Sequence, residues 1–479
     1  MNRSIQRLFL VLVGGFALLV GMLGWWQVVH AQDLRDRQGN PQAAEAERLI
    51  DRGRIVSADG ELLAASRARR VEGRRVYARV YPQRTLAAHV IGYSTSSQGK
   101  TGVEAVYDRF LTGSFGAEPL LQRLNLKEKR GANVQLTLDT RVQIAAEQAL
   151  SGQKGAVVAL DPRDGSVLAM ASAPTFDLAD VVGGRFEQIT QAPDSPLINR
   201  ATASRNAPGS TFKVVTAAAG LESGIYRPDS EFPGGDSYET PGGDIGNFGG
   251  RTFGRHDLTD ALTNSINTTF AEIGDTLGAD RMAEMMTAFG FGTRPAIDLP
   301  TGEVIASGRY QDGTIEPNAE QGEDIARLAI GQERLVTTPL QMAMVAAGVA
   351  NGGVLMQPRL LSRVTDRSGA VVRTGEAVEL GQPVSPQTAA ELTEMMTDVV
   401  RDGTGTQAAL VDVGVTVAGK TGTAETDDPA LNNAWFIGFA PAENPTVAVA
   451  VVIEGTPGQG GSVAAPVAAD VMRAALEAQ

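Results

Sequence analysis

The chain has 479 residues, of which 43% are hydrophobic and 20% charged. This composition excludes wholesale disorder and collagen-like repeats, and the length allows about two to four domains at roughly 100–200 residues each. There is no cysteine, so disulfides, thiolate metal sites and cysteine nucleophiles are excluded. The net charge of −13 is unevenly spread: residues 30–150 carry 19 basic and 14 acidic side chains, whereas 151–479 carry 21 basic and 41 acidic. The change of sign near residue 150 predicts two bodies in different surroundings, the acidic one unsuited to nucleic acid.

Leu8 to Val29 (LFLVLVGGFALLVGMLGWWQVV) is uncharged and has the length of a membrane helix. Arg3 and Arg7 precede it, and Trp25 and Trp26 sit near its far end. Basic residues stay on the cytoplasmic side and tryptophan prefers the headgroup zone. The expected topology is therefore a cytoplasmic tail over 1–7, one span over 8–29, and the rest of the chain outside. A cleaved signal peptide ending at Val29-His30-Ala31 and a buried core helix are the alternatives.

Residues 30–50 are polar and read as a juxtamembrane connector. Within 51–150, ANVQLTLDTRVQIAAEQAL predicts a strand, a turn at Asp139 and an amphipathic helix. GAVVALDPRDGSVLAMAS follows, two aliphatic runs about an Asp-Pro-Arg-Asp-Gly turn, which is a hairpin signal. WFIGFAPAENPTVAVAVVIEG repeats the form near the C-terminus, ahead of a helix from Ala465 to Glu477. Between them the chain reads as mostly helical, for example VTTPLQMAMVAAGVANGG, with Pro339 in the first turn and Gly352-Gly353 at the end. These elements predict an α/β (α+β) domain over 151–479, a mixed sheet closed by N- and C-terminal strands with a helical lobe alongside. The glycine-rich 233–256 reads as a mobile or partner-facing loop.

Three motifs can carry chemistry. In Pro208-Gly209-Ser210-Thr211-Phe212-Lys213 the apolar run that follows puts Ser210 at a helix N-terminus with Lys213 one turn later, on the same face. Serine is a weak nucleophile until a base takes its proton, and a lysine can serve if burial or nearby positive charge lowers its pKa. The helix N-terminus favours a developing oxyanion. Alone, Ser-x-x-Lys would arise by chance with a probability of roughly a quarter, Ser210 then being an N-cap and Lys213 a solvated side chain. Ser265-Ile266-Asn267 lies at the edge of a helical pattern; the hydroxyl could relay a proton, and the amide could hold a substrate carbonyl or position the lysine. Taken alone, it is more often a cap or turn. Lys420-Thr421-Gly422-Thr423 follows a β-branched run. Gly422 removes a side chain where another backbone can approach, so a peptide could add along this edge. Lys420 and the Thr421 and Thr423 hydroxyls could bind a carboxylate, and the Thr423 N–H could complete an oxyanion hole with that of Ser210. A lysine guarding an exposed edge is the plain alternative. The combination is stronger than its parts, because two of only six lysines fall in these motifs.

This ordered set resembles that of penicillin-binding proteins and serine β-lactamases. From residue 51 onward the chain resembles a class B penicillin-binding protein, nearest the PbpA-type group of actinobacteria. SPLINRATASRNAPGSTFKVVTAAAGLE, LTDALTNSINTTFAEIGDTLG, LAIGQERLVTTPLQMAMVAAGVANGG and AGKTGTAETDDPALNNAWFIGFAP read like that family's segments, and RGRIVSADGELLAAS, YPQRTLAAHVIGYS and GVEAVYDRFLTG like its pedestal. The resemblance implies a pedestal (dimerisation-like) domain within 30–150 and a peptidoglycan D,D-transpeptidase that needs no cofactor or metal. Ser210 would attack the D-Ala-D-Ala amide of a stem peptide, with Lys213 as general base and Ser265 and Asn267 in the relay and clamp. Lys420, Thr421 and Thr423 would hold the carboxylate, with Gly422 keeping the edge open, and β-lactams would acylate Ser210. With no glycosyltransferase segment ahead of the pedestal, a separate membrane polymerase of the shape-elongation-division family is implied. A D,D-carboxypeptidase or β-lactamase using water as acceptor, and a non-catalytic penicillin sensor, are the rival readings.

Overall fold

The computed structural model describes residues 3–28, 45, 47–115, 130–317, 319–320, 322–426, 428 and 430–479. The cleavage-site reading at 29–31, and most of the connector expected over 30–50, lie outside the described residues. The first helix, Arg3–Val28, is not a core helix: Leu10, Val11 and Phe16 are 68–70% exposed. It is long and apolar enough to cross a membrane, and fits a single-pass anchor.

A six-stranded sheet organises the pedestal. Its order is Val371–Thr374, Leu361–Thr365, Asn133–Leu136, Ile55–Val56, Leu62–Val71, Arg74–Val80. Ile55–Val56 and Asn133–Leu136 run parallel, and the other neighbours are antiparallel. Under the sheet, Arg52 and Arg79 share the buried Glu104: Arg52 Nη2 donates to Oε2 at 2.7 Å and Arg79 Nε to Oε1 at 2.5 Å. Burial acts to raise the Glu104 carboxyl, but the two guanidiniums outweigh it and hold the group below its ordinary value. Two strands of this sheet, Leu361–Thr365 and Val371–Thr374, come from within the transpeptidase sequence, an arrangement that the mostly helical reading of the middle of the chain did not include.

The second sheet is five-stranded, in the order Ala418–Glu425, Asn432–Ala440, Val447–Thr456, Gly155–Leu160, Val167–Ala173. Both expected hairpins form, Gly155 opposite Ala173 and Ala440 opposite Val447. The C-terminal strand closes onto the N-terminal one, Ala448 opposite Leu160. One detail differs from expectation: this sheet is antiparallel throughout, not mixed. Three of its four junctions are made by short turns or a short loop, which force antiparallel pairing, and the closing pair adopts the same sense. The mixed sheet is the pedestal's.

Its strands read as unbroken apolar runs because both faces are covered. Ala156, Val158 and Leu160 enter one core with the helix Pro339–Ala350, while Val157 and Ala159 enter a second with Thr140–Ala149 and Ala465–Glu477. Asp139, read as a turn, caps the helix that follows, accepting from the Arg141 N–H. Burial on all sides also explains why Pro339–Ala350 shows little amphipathic pattern.

Candidate active site

The nucleophile motif folds as a 3₁₀ turn, Gly209–Phe212, running into the helix Lys213–Glu222. Ser210 therefore lies just ahead of the α-helix. In a 3₁₀ turn residues i and i+3 eclipse one another, which keeps Ser210 and Lys213 on one side of the turn as the spacing suggests. Gly209 starts the turn with φ +51°, a conformation that favours glycine. The approach to the turn is fixed from the sheet: Trp435 Nε1 donates to Ala207 O at 3.0 Å, and Asn206 Nδ2 donates to Glu454 Oε1 at 2.9 Å. Glu454 also pairs with Arg200, at 3.3 Å.

Lys213 is fully buried. Its Nζ donates to Asn267 Oδ1 at 2.7 Å and to Ser265 O at 2.8 Å, and lies 3.3 Å from Ser265 Oγ. The Phe270 ring centroid is 5.4 Å away. All these partners are neutral. Burial, and then the positive charge of Lys420, push the amine well below its ordinary value. Ser265 takes φ +57° between the helices Leu258–Thr263 and Asn267–Ala288. This strained, non-glycine conformation brings both its hydroxyl and its carbonyl to the lysine. Asn267, the first residue of its helix, is held from the other side: Nδ2 donates to Gly246 O at 2.9 Å. Its amide oxygen belongs to Lys213, so of the two roles open to it in sequence the lysine-positioning one is occupied.

Asn247 is a site-ordering residue that the motifs did not include. Its Oδ1 accepts from the N–H groups of Asn267 at 2.9 Å and Thr268 at 3.1 Å. It caps that helix from a distance, so the glycine-rich loop 233–256 is tied to the site rather than free of it. An asparagine among glycines carries no local signal of this. Trp435 was more legible: a buried indole N–H needs an acceptor.

The third motif forms the end strand, Ala418–Glu425, of the five-stranded sheet. Alternation puts Lys420 and Gly422 on one face and Thr421 and Thr423 on the other. Lys420 is buried, and its Nζ donates to Thr421 O at 2.9 Å. Burial lowers its pKa to about 7. Thr421 Oγ1 lies 2.6 Å from Thr404 Oγ1, and Thr423 Oγ1 accepts from the Gly460 N–H at 3.3 Å. The backbone that Gly422 admits is the chain's own: a Cβ there would lie 2.8 Å from Pro208 O and 2.9 Å from Thr211 Cγ2. A Cβ on Gly209 would in turn lie 2.8 Å from Thr423 O. The nucleophile turn thus packs directly on the Lys-Thr-Gly strand. Gly422→Ala is expected to push the two apart, costing about 1–3 kcal/mol and slowing acylation at least tenfold; stopped-flow acylation with a thermal melt measures both.

The structure brings Ser210, Lys213, Ser265, Asn267 and Lys420 to Thr423 into one locus. His89 and His256 stand elsewhere: the ring of His89 meets Pro196 O at 2.7 Å, and that of His256 meets Thr269 Oγ1 at 2.7 Å.

A serine on a tight turn, a buried low-pKa lysine one turn later and a second buried lysine on a sheet edge are the parts a serine acyltransferase site requires. Comparison with known proteins narrows this class. Residues 155–473 match the penicillin-binding protein transpeptidase domain, and 52–134 the penicillin-binding protein A dimerisation domain. The peptidoglycan D,D-transpeptidase PbpA of Mycolicibacterium smegmatis is 36% identical, over 99% of each chain. The structure of penicillin-binding protein A from M. tuberculosis as its ceftriaxone acyl-enzyme superposes with a TM-score of 0.80 at 34% identity, covering 90% of this chain and 99% of that one. A D,D-transpeptidase domain from Eggerthella lenta gives 0.78 at 37% identity, over 90% and 99%. The chain belongs to the penicillin-binding protein transpeptidase family, as a class B member of the PbpA type.

Proposed function

We infer that this protein is a peptidoglycan D,D-transpeptidase that cross-links stem peptides through an acyl-enzyme on Ser210 and is acylated there by β-lactams. The observation that carries the residue roles is the hydrogen bonding of Lys213. As a neutral amine it has two N–H donors and one lone pair. Asn267 Oδ1 and Ser265 O, at 2.7 and 2.8 Å, take the two donors. The lone pair is then left for a hydroxyl proton, directly from Ser210 or through Ser265 Oγ.

In this reading Ser210 Oγ attacks the carbonyl of the penultimate D-Ala as its proton passes to Lys213. The oxyanion sits between the N–H groups of Ser210 and Thr423. Collapse expels the terminal D-Ala as an amine, protonated through Lys213 and Ser265. An amine of a neighbouring stem peptide reverses the sequence and frees the serine. Thr421 and Thr423 bond the substrate carboxylate at the strand's edge, the Lys420 cation attracts it from the strand's other face, and Gly422 keeps the turn and strand in contact. The catalytic domain lies on the outer side of the membrane, with the short N-terminal tail cytoplasmic and the pedestal between, a placement supported by Arg3, Arg7, Trp25 and Trp26. The partner in this reading is a membrane glycosyltransferase of the shape-elongation-division family that supplies the glycan strands.

Treatment with penicillin G followed by trypsin is expected to place one penicilloyl group on the peptide Asn206–Lys213. An adduct on any other peptide refutes the nucleophile assignment. A labelled D-amino acid offered as acceptor should be incorporated into the product; free acid alone would favour the hydrolase.

A further inference from the structure

The pedestal carries a charge concentration that the transpeptidase reaction does not use. The strands Leu62–Val71 and Arg74–Val80 form a hairpin that extends beyond the rest of its sheet. Its tip holds Arg67, Arg69, Arg70, Arg74 and Arg75 against a single acid, Glu72, in a chain whose net charge is −13. All five arginines are exposed, and none makes an ion pair among the described residues. Arg70 stands directly opposite Arg75 in the ladder, a pairing of like charges that costs stability. Arg67, Arg69 and Arg74 occupy the other face, with Val71 43% exposed beside them at the turn. The fold thus presents cations on both faces of one ribbon.

The register shows which way this ribbon points. The chain reaches Ile55 from the membrane helix, runs through Val56 to the turn at Ala58–Gly60, and returns antiparallel with Ala64 opposite Ile55. The seven residues from Ala65 to Val71 then continue back toward the side from which the chain arrived, about 23 Å at a strand's rise. Asn133–Leu136 runs parallel to Ile55–Val56 and leads the opposite way, into Asp139 and the transpeptidase sheet. The arginine tip and the catalytic body therefore sit at opposite ends of the pedestal, with the tip on the tether's side. From Val28 to Glu45 an extended chain spans at most about 60 Å, which bounds how far the pedestal can stand from the bilayer.

We propose that the arginine hairpin docks on the phosphate headgroups of anionic phospholipids in the membrane that holds the anchor helix, fixing the height and tilt of the pedestal. Guanidiniums pair well with phosphate oxygens. Each basic residue near an anionic surface is worth roughly a fivefold shift in the docked population. Phosphate between Arg70 and Arg75 would also relieve their repulsion.

This rests on the reading of Arg3–Val28 as a membrane anchor, and the test separates the two. The chain has no cysteine, so Glu72→Cys in the full-length protein takes one environment-sensitive label at the tip. The protein is reconstituted in vesicles of phosphatidylcholine alone or with about one-third phosphatidylglycerol, each carrying a headgroup-level nitroxide lipid. Failure to float with either vesicle would refute the anchor. With the anchor inserted, the label is expected to be quenched in the anionic vesicles and released by 0.5 M salt or by Arg70→Glu with Arg75→Glu, while fluorescent-penicillin labelling of the variant persists. Equal quenching in neutral and anionic vesicles overturns the proposal. So does a tip that stays solvent-exposed in both, including one shielded only when a second membrane protein is added.

Discussion

Lys213→Met is expected to slow acylation by penicillin roughly 10²–10⁴-fold, the range for loss of a positioned general base, while reversible binding of the intact drug changes little. The reason is local. Ser265 O and Asn267 Oδ1 hold the amine, burial and then the other cation lower it, and among the described residues no carboxylate pairs with it to restore the proton. The same substitution has a second signature. A buried lysine whose folded pKa lies below the unfolded 10.5 makes the unfolded state bind more protons in between. Stability then rises with pH through that window and reaches its full value above the unfolded pKa. Methionine removes the titration, so melting temperature against pH should flatten on the approach to about pH 10 relative to the parent. A variant that loses acylation but keeps the parent slope would mean that Lys213 is charged in the resting enzyme.

The second large effect concerns Lys420. Burial lowers it to about 7, yet in the proposed reaction it meets a carboxylate as a cation. Raising the pH through 7 neutralises it in the free enzyme, so the second-order acylation constant should fall about tenfold per pH unit on the alkaline side. A bound carboxylate raises the group again, so the limb belongs to the free enzyme and should fade at saturating drug. The two lysines are coupled: Lys420 in its charged form depresses Lys213, and the profile therefore reports macroscopic constants of the pair. The decisive comparison is penicillin against its methyl ester. The ester, lacking the anion, should be acylated slowly and without the alkaline limb. Identical profiles for acid and ester would remove Lys420 from carboxylate binding. Lys420→Arg should move the limb out of the accessible range, since a guanidinium stays protonated.

Much of this site was legible because its chemistry is written in short, rigid pieces. A tight turn into a helix, a Ser-x-Asn turn and one end strand each need only a few neighbouring residues, and motif spacing captures their places, though not the 3₁₀ form of the first or the positive φ of Ser265. The hairpins at Gly155–Ala173 and Asn432–Thr456 were legible for the same reason. What escaped was non-local. Asn247 reaches Asn267 across twenty residues, and Glu454 fastens Asn206 across 248. The sense of the central sheet follows from which strands neighbour one another, and apolar runs buried on both faces do not encode that. Ser-Arg-Val-Thr at 362–365 looks like any half-exposed segment; only its partner, Asn133–Leu136, gives it a place.

That partner has a consequence for biogenesis. Pedestal strand Asn133–Leu136 is flanked on one side by Ile55–Val56 and on the other by Leu361–Thr365. During synthesis the N-terminal module emerges first, yet its sheet keeps an open margin until more than two hundred further residues have been made. Synthesis and maturation are thereby linked: the support cannot finish before most of the catalytic body exists. A truncated product released early would present that raw margin to its neighbours, an invitation to aggregation and to quality-control proteases.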